Sequence, residues 1–215
     1  MNLSVLKRFS ALALCFLTLS CYSPDEFVGE VIIDKNGNFI MTYIGDLIWV
    51  PLHREIALGK VPEDKMDEKI QNLVNDLGRD KNFIEVTPKG DARFFVKYKR
   101  MGRIVGTGQV TFVRRDSALM MVRTTADETT TFKGISMNPT KLKQFEEVDL
   151  SARGIFRVIT DAPIIETNAQ FIRDNDKGAG KIYEWRINGV ETPTPMLSLR
   201  LDFENFQTPS EKYSK

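Results

Sequence analysis

Soft metal ligands and imidazole are scarce in this chain: two cysteines and one histidine in 215 residues. Cys15 and Cys21 alone cannot build a disulfide scaffold or a four-ligand zinc knuckle. His53 has no second histidine to complete an H-x-x-x-H pair, and no G-x-S-x-G elbow occurs. In Leu52-His53-Arg54-Glu55 it reads as a surface or boundary residue. A charge surplus is missing as well. Thirty Lys and Arg face 29 Asp and Glu, whereas a nucleic-acid partner needs a clear excess of cations, so none is expected. Carboxylates are plentiful enough for a glycosidase pair, but no feature singles one out. A non-enzymatic protein without a cofactor is the expectation.

Long apolar runs are absent too. The longest, Phe9–Ser20, falls short of the roughly 20 residues that span a bilayer but suits a secretory h-region of about 7–15. Lys7 and Arg8 precede it as a basic n-region. It ends in Leu17-Thr18-Leu19-Ser20-Cys21, where a small residue directly before a cysteine resembles a lipobox. The expected organisation is a lipoprotein signal peptide over 1–20, an α+β domain over 21–202 and a polar tail over 203–215. Diacylglycerol on the Cys21 thiol and an acyl group on its amine would anchor the chain firmly, because single chains bind only marginally. Cys15 would leave with the signal, as would Lys7 and Arg8, so the mature chain carries 28 cations against 29 carboxylates. Export to the cell envelope follows. In a Gram-negative source, Tyr22 after the cysteine favours the outer membrane, periplasmic side. Cys21 is the one membrane attachment expected.

In the mature chain, Lys35-Asn36-Gly37-Asn38 separates two β-rich runs, the strongest short hairpin signal. The stretch 45–60 reads either as a short helix opened by Pro51 or as an extended strand. Pro62 opens a clearer helix closed by Gly78. Its Met66, Ile70, Leu73, Val74 and Leu77 share one face. Strand-like runs then follow at short intervals to Phe132, too closely spaced for parallel crossovers. A second short helix is expected from Asn138-Pro139, with Leu142 and Phe145, and four more strand runs complete the chain. The fold class is α+β: a single domain with a large antiparallel sheet or meander and one or two helices on one face.

Three features invite chemistry. Gly102, Gly106 and Gly108 suggest a phosphate loop, but strand-like QVTFV follows where a helix N-terminus is needed, so turn glycines account for them. Between Lys89 and Asp116, eight cations face two carboxylates. There Arg93, Lys97 and Lys99 alternate with Phe94, Val96 and Tyr98, so they share a sheet face. That face is either a solvated surface that blunts edge pairing or a contact for anionic headgroups. The apolar segment Leu47, Ile48, Trp49, Val50 and Leu52 reads as core, with a lid over an apolar cavity as the alternative. Trp49, Arg93, Lys97 and Lys99 are therefore the candidate ligand or membrane contacts, beside Cys21 for lipid attachment.

The closing strands carry a resemblance. Ile155–Asn168 (IFRVITDAPIIETN), followed by Ala169 and then Tyr183-Glu184-Trp185-Arg186-Ile187, resembles the LppM-type bacterial lipoproteins. The lipobox and the Asn36-Gly37 hairpin stand in the same order as in that family. The resemblance implies an α+β, lipid-interacting domain in the envelope and brings no catalytic residue. Many members carry a C-terminal transmembrane helix, which this sequence does not show. Two functions are open on these grounds. One is binding of an amphipathic ligand or envelope glycolipid, in a sheet–helix cavity or on the basic face. The other is a structural or assembly accessory, docked on an envelope protein through 47–52 or a sheet edge.

Overall fold

The computed structural model describes residues 22–202 except 115–117, 136–144, 146, 149 and 190. Residues 1–20, where a signal peptide is expected, Cys21, the tail expected over 203–215 and most of the helix expected after Asn138-Pro139 lie outside the described residues.

The hairpin at Asn36-Gly37 builds the centre of the molecule. β1 (Tyr22–Ile33) pairs antiparallel with β2 (Asn38–Trp49). Gly37 takes φ +82° in the turn, and the Gly37 N–H donates to the Asp34 carbonyl at 2.9 Å. The ambiguous stretch after Gly45 turns out to be both of its readings in succession. β2 runs to Trp49, and helix α1 (Val50–Ala57) starts at once, with Pro51 in its first turn, where a missing N–H costs nothing. Helix α2 (Glu63–Leu77) lies where its periodicity places it. Ile70, Leu73, Val74 and Leu77 turn towards the main core, and Lys69 ties it to α1 through Glu55 at 2.6 Å.

Next come β3 (Phe83–Gly90), β4 (Arg93–Arg103), β5 (Gly108–Phe112), β6 (Met120–Thr124) and β7 (Thr129–Gly134). The last five strands are β8 (Arg153–Thr160), β9 (Ile164–Thr167), β10 (Phe171–Asp174), β11 (Lys181–Asn188) and β12 (Met196–Arg200). The α+β class and the run of strands are as expected, but the strands form two sheets. One has seven strands in the order β10-β11-β8-β1-β2-β4-β3, the other five in the order β5-β6-β7-β12-β9. The meander is thus cut between β4 and β5. The run Ile164–Ile172 is likewise divided, β9 joining one sheet and β10 the other.

The larger sheet is also mixed rather than purely antiparallel, because β1 pairs parallel with β8. Short connections force antiparallel pairing only between neighbours in sequence. β1 and β8 are over a hundred residues apart, so that rule does not reach them.

The two sheets face each other across one core. Met41, Tyr43, Val96, Tyr98, Phe156, Val158 and Trp185 of the larger sheet meet Phe112, Met120, Val122, Phe132, Leu197 and Leu199 of the smaller. The rings interlock: Phe112 stacks on Tyr43 at 4.5 Å and lies 4.7 Å from Tyr98, and Phe132 lies 5.6 Å from Trp185. Because strand side chains alternate, the remaining residues of the seven-stranded sheet point away from this core. That outer face carries the candidate site.

Candidate ligand groove

The hollows beside α2 are small. One of about 250 Å³ lies among Trp49, Leu52, Lys69 and Leu73, and one of about 270 Å³ lies among Leu77, Phe83 and Val113. The space between the sheets is filled by rings. The larger concavity, about 680 Å³, opens instead on the outer face of the seven-stranded sheet, at the hairpin end of β1. This volume falls within the range of ordinary ligand pockets.

Strand register builds its floor. Ile32 of β1 pairs with Ile159 of β8, which pairs with Ile182 of β11, giving three isoleucines abreast. In the next row inward, Glu30 stands opposite Arg157 and Arg157 opposite Glu184. The wall is the β10–β11 turn, 175–180. Gly180 closes it at φ +87°, where a Cβ would lie 2.1 Å from the Thr160 carbonyl oxygen, so only glycine lets the turn lean on the end of β8.

Cations and carboxylates rim the groove, and several of the latter are already engaged. Asp34 accepts the backbone N–H groups of Asn36 and Asn38, and Asp161 accepts that of Lys35. Glu184 is buried, yet its side chain is ringed by three arginines. Arg157 donates at 2.8 Å and Arg173 at 3.3 Å to Oε2, with Arg186 3.5 Å from Oε1. Burial pushes the Glu184 carboxyl up, but hydrogen bonds and charge from Arg157 and Arg173 outweigh it and hold it below the usual glutamate value. Three guanidiniums around one carboxylate put positive charge at the Arg157–Arg173 end of the apolar floor, while Glu30, Asp34, Asp161 and Asp176 make the rest of the lining acidic. Such a site can hold a hydrocarbon body on the isoleucines and an anionic head at Arg157 and Arg173.

A carboxyl held low stabilises the fold above its unfolded-state value, near 4.3, and loses that contribution as pH falls through the folded value. Glu184→Gln is therefore expected to destabilise by about 1–3 kcal/mol at pH 7, the range for removing a charged hydrogen-bond partner. The gap to wild type should close on acidification, measured by urea unfolding at several pH values; a pH-independent gap contradicts this account.

The residues singled out from sequence fall in different places. Trp49 ends β2, half-buried, its ring 4.8 Å from that of Tyr22. It lines the small hollow by α2 and no part of the groove. Its neighbours Leu47 and Ile48 are fully buried, as the core reading of that segment has it. Arg93, Lys97 and Lys99 do share the outer face, but two of them are engaged. Arg93 bridges Asp25 at 3.0 Å and Asp46 at 3.1 Å, and Lys97 meets Glu85 at 2.8 Å. Lys99 is exposed. Cys21 lies outside the described residues. His53 Nδ1 lies 2.8 Å from the Asp91 carbonyl oxygen. Since a carbonyl can only accept, Nδ1 carries the proton there.

Among the described residues, no cluster of three His, Cys, Asp or Glu side chains is placed to hold a metal ion, and no helix is long and apolar enough to cross a membrane. Sequence reasoning missed the groove residues Ile32, Ile159, Ile182, Arg157 and Arg173. A signal was present: FVGEVII and IFRVI are nearly continuous apolar runs, the mark of strands with apolar residues on both faces.

No family model and no curated protein matches the chain. Among solved structures, it is similar to the folded domain of the Mycobacterium tuberculosis LppM protein, determined by NMR. The two share 11% sequence identity at a TM-score of 0.43, over 88% of this chain and 96% of that one. The likeness to LppM proteins is therefore loose in structure as it is in sequence.

Proposed function

We propose that the protein is a lipid-anchored component of the bacterial cell envelope, held at Cys21, that binds an amphipathic ligand in the outer-face groove. The role is binding rather than catalysis. The observation that carries this reading is the isoleucine floor beside the Arg157–Glu184–Arg173 cluster, which suits a hydrocarbon body with an anionic head. The support lies in this groove and not in a void behind α2.

The probe is dansyl-undecanoic acid, whose fluorescence rises and shifts to the blue in an apolar site. Titrated into the mature protein, it is expected to saturate. Ile159→Asp, which places a charge on the floor, should weaken binding by tenfold or more, about 1.4 kcal/mol. A Leu73→Asp control beside α2 should leave it unchanged. Saturable binding that ignores Ile159→Asp, or no binding at all, overturns the groove.

The accessory role keeps one specific observation. β10 is an edge strand whose Phe171 and Ile172 are exposed, a template for strand pairing with a partner. A stoichiometric protein partner lost on Ile172→Lys, with no binding of the probe, would favour it.

A further inference from the structure

We infer that the segment Phe203-Glu204-Asn205-Phe206, which follows directly on the last described residue, seats in the groove and is displaced by the ligand. The displacement rests on the ligand reading above; the seat does not.

The chain leaves the fold at the mouth of the groove. Leu201 is still buried in the core. On either side of it, the Arg200 N–H donates to the Pro163 carbonyl at 2.9 Å and the Asp202 N–H to the Lys35 carbonyl at 2.8 Å. The Lys35 N–H in turn donates to the Asp161 carboxylate at 2.7 Å. Asp202 thus emerges between the turns that follow β1 and β8, next to Ile33, Asp34, Thr160 and Asp161 of the groove lining. The other side of the hairpin turn is taken by the end of β4. There Arg103 Nε donates to the Asn36 carbonyl at 3.1 Å, and the Ile104 N–H to that of Gly37 at 2.9 Å.

The residues that follow fit what the groove offers. Ile32 is exposed and Ile159 and Ile182 are half-buried, so the floor is open. Its outer two members stand two strand spacings apart, about 9.6 Å. In an extended chain with three residues per turn, side chains three apart project alike, at about 9 Å. Phe203 and Phe206 have that spacing in sequence, and each ring is large enough to cover an isoleucine. Glu204 is the one carboxylate between them, and Arg157 and Arg173 stand beside the floor, sharing only Glu184. Asn205 brings two N–H donors for the acidic part of the lining, where Glu30 and Asp176 stand.

A tether makes a weak contact sufficient. A segment joined to its own site by a short linker acts at an effective concentration in the millimolar range. The ligand then meets a groove that is only partly free, and its apparent affinity falls by that fraction.

The test compares the mature protein with a Phe203→Asp, Phe206→Asp double variant that keeps the whole tail. Isoleucine methyl NMR spectra of the two are expected to differ at Ile32, Ile159 and Ile182 and to coincide at Ile44, on β2. The double variant should also bind dansyl-undecanoic acid about threefold more tightly, or better. Floor methyls that do not move overturn the inference, and saturation by the probe then leaves the ligand reading intact. Changes at Ile104 in place of the floor overturn it as well, as does a seat that is lost on dilution and so belongs to a second copy. Floor methyls that move while the probe binds neither protein uphold the seat and overturn the ligand reading instead. Floor methyls that move with equal probe affinity overturn the displacement alone.

Discussion

Arg93→Ala is expected to destabilise the fold by about 3 kcal/mol at pH 7, the low end of the range for breaking a buried ion pair. Asp25 and Asp46 stand directly opposite each other on β1 and β2, 3% and 2% exposed. Like charges in that position repel, and burial strengthens the repulsion. The Arg93 guanidinium spans both carboxylates. Burial pushes its own proton affinity down, but the two aspartates outweigh this and raise it above the ordinary arginine value. Lys89 remains 2.9 Å from Asp46 and Arg153 3.4 Å from Asp25, which keeps the expected loss from reaching 5 kcal/mol. The defect is electrostatic, so removing one of the two carboxylates should repair it. Adding Asp46→Asn to the variant should recover much of the loss at pH 7. Urea unfolding measures this; no recovery in the double variant would mean that Arg93 acts by packing alone.

Arg93 also shows what the sequence could and could not say. Strict alternation along RFFVKYK was enough to put Arg93, Lys97 and Lys99 on one face, because side-chain direction in a strand is a local property. The Asn36-Gly37 hairpin and the Pro62-to-Gly78 helix were legible for the same reason, since turn chemistry and helical period are written in consecutive residues. Partners are not local. That Arg93 sits over Asp25 and Asp46 depends on the pairing of β1, β2 and β4. Likewise, Ile32, Ile159 and Ile182 become a floor only because β8 slots between β1 and β11, one pairing parallel and one antiparallel. The division of the strands into two sheets was equally hidden. Nothing in the four residues between β4 and β5 distinguishes a hairpin from a crossing to the other sheet. Trp49 drew attention as the aromatic of the apolar segment 47–52, yet its ring packs on that of Tyr22, whose burial follows from the position of β1 at the centre of the sheet.

The second large effect concerns the join between the sheets. Phe112→Ala should cost about 3–5 kcal/mol, the range for truncating a fully buried aromatic ring. Phe112 comes from β5 of the smaller sheet, and its ring meets Tyr43, Tyr98 and Phe83 of the larger at 4.5, 4.7 and 6.0 Å. It therefore fills the space where a ligand cavity between the sheets would have to lie. Phe112→Leu keeps most of the volume and should lose less than half as much, while Phe112→Ala opens a dry, apolar void of the kind that takes up small hydrocarbons. This pair separates a filled core from a ligand-binding one. If the interior serves packing and the groove serves binding, Phe112→Leu leaves dansyl-undecanoic acid affinity unchanged, and Ile159→Asp weakens it tenfold or more without a comparable loss of stability. The reverse pattern, affinity falling with Phe112→Leu and indifferent to Ile159→Asp, would move the ligand from the groove into the sandwich.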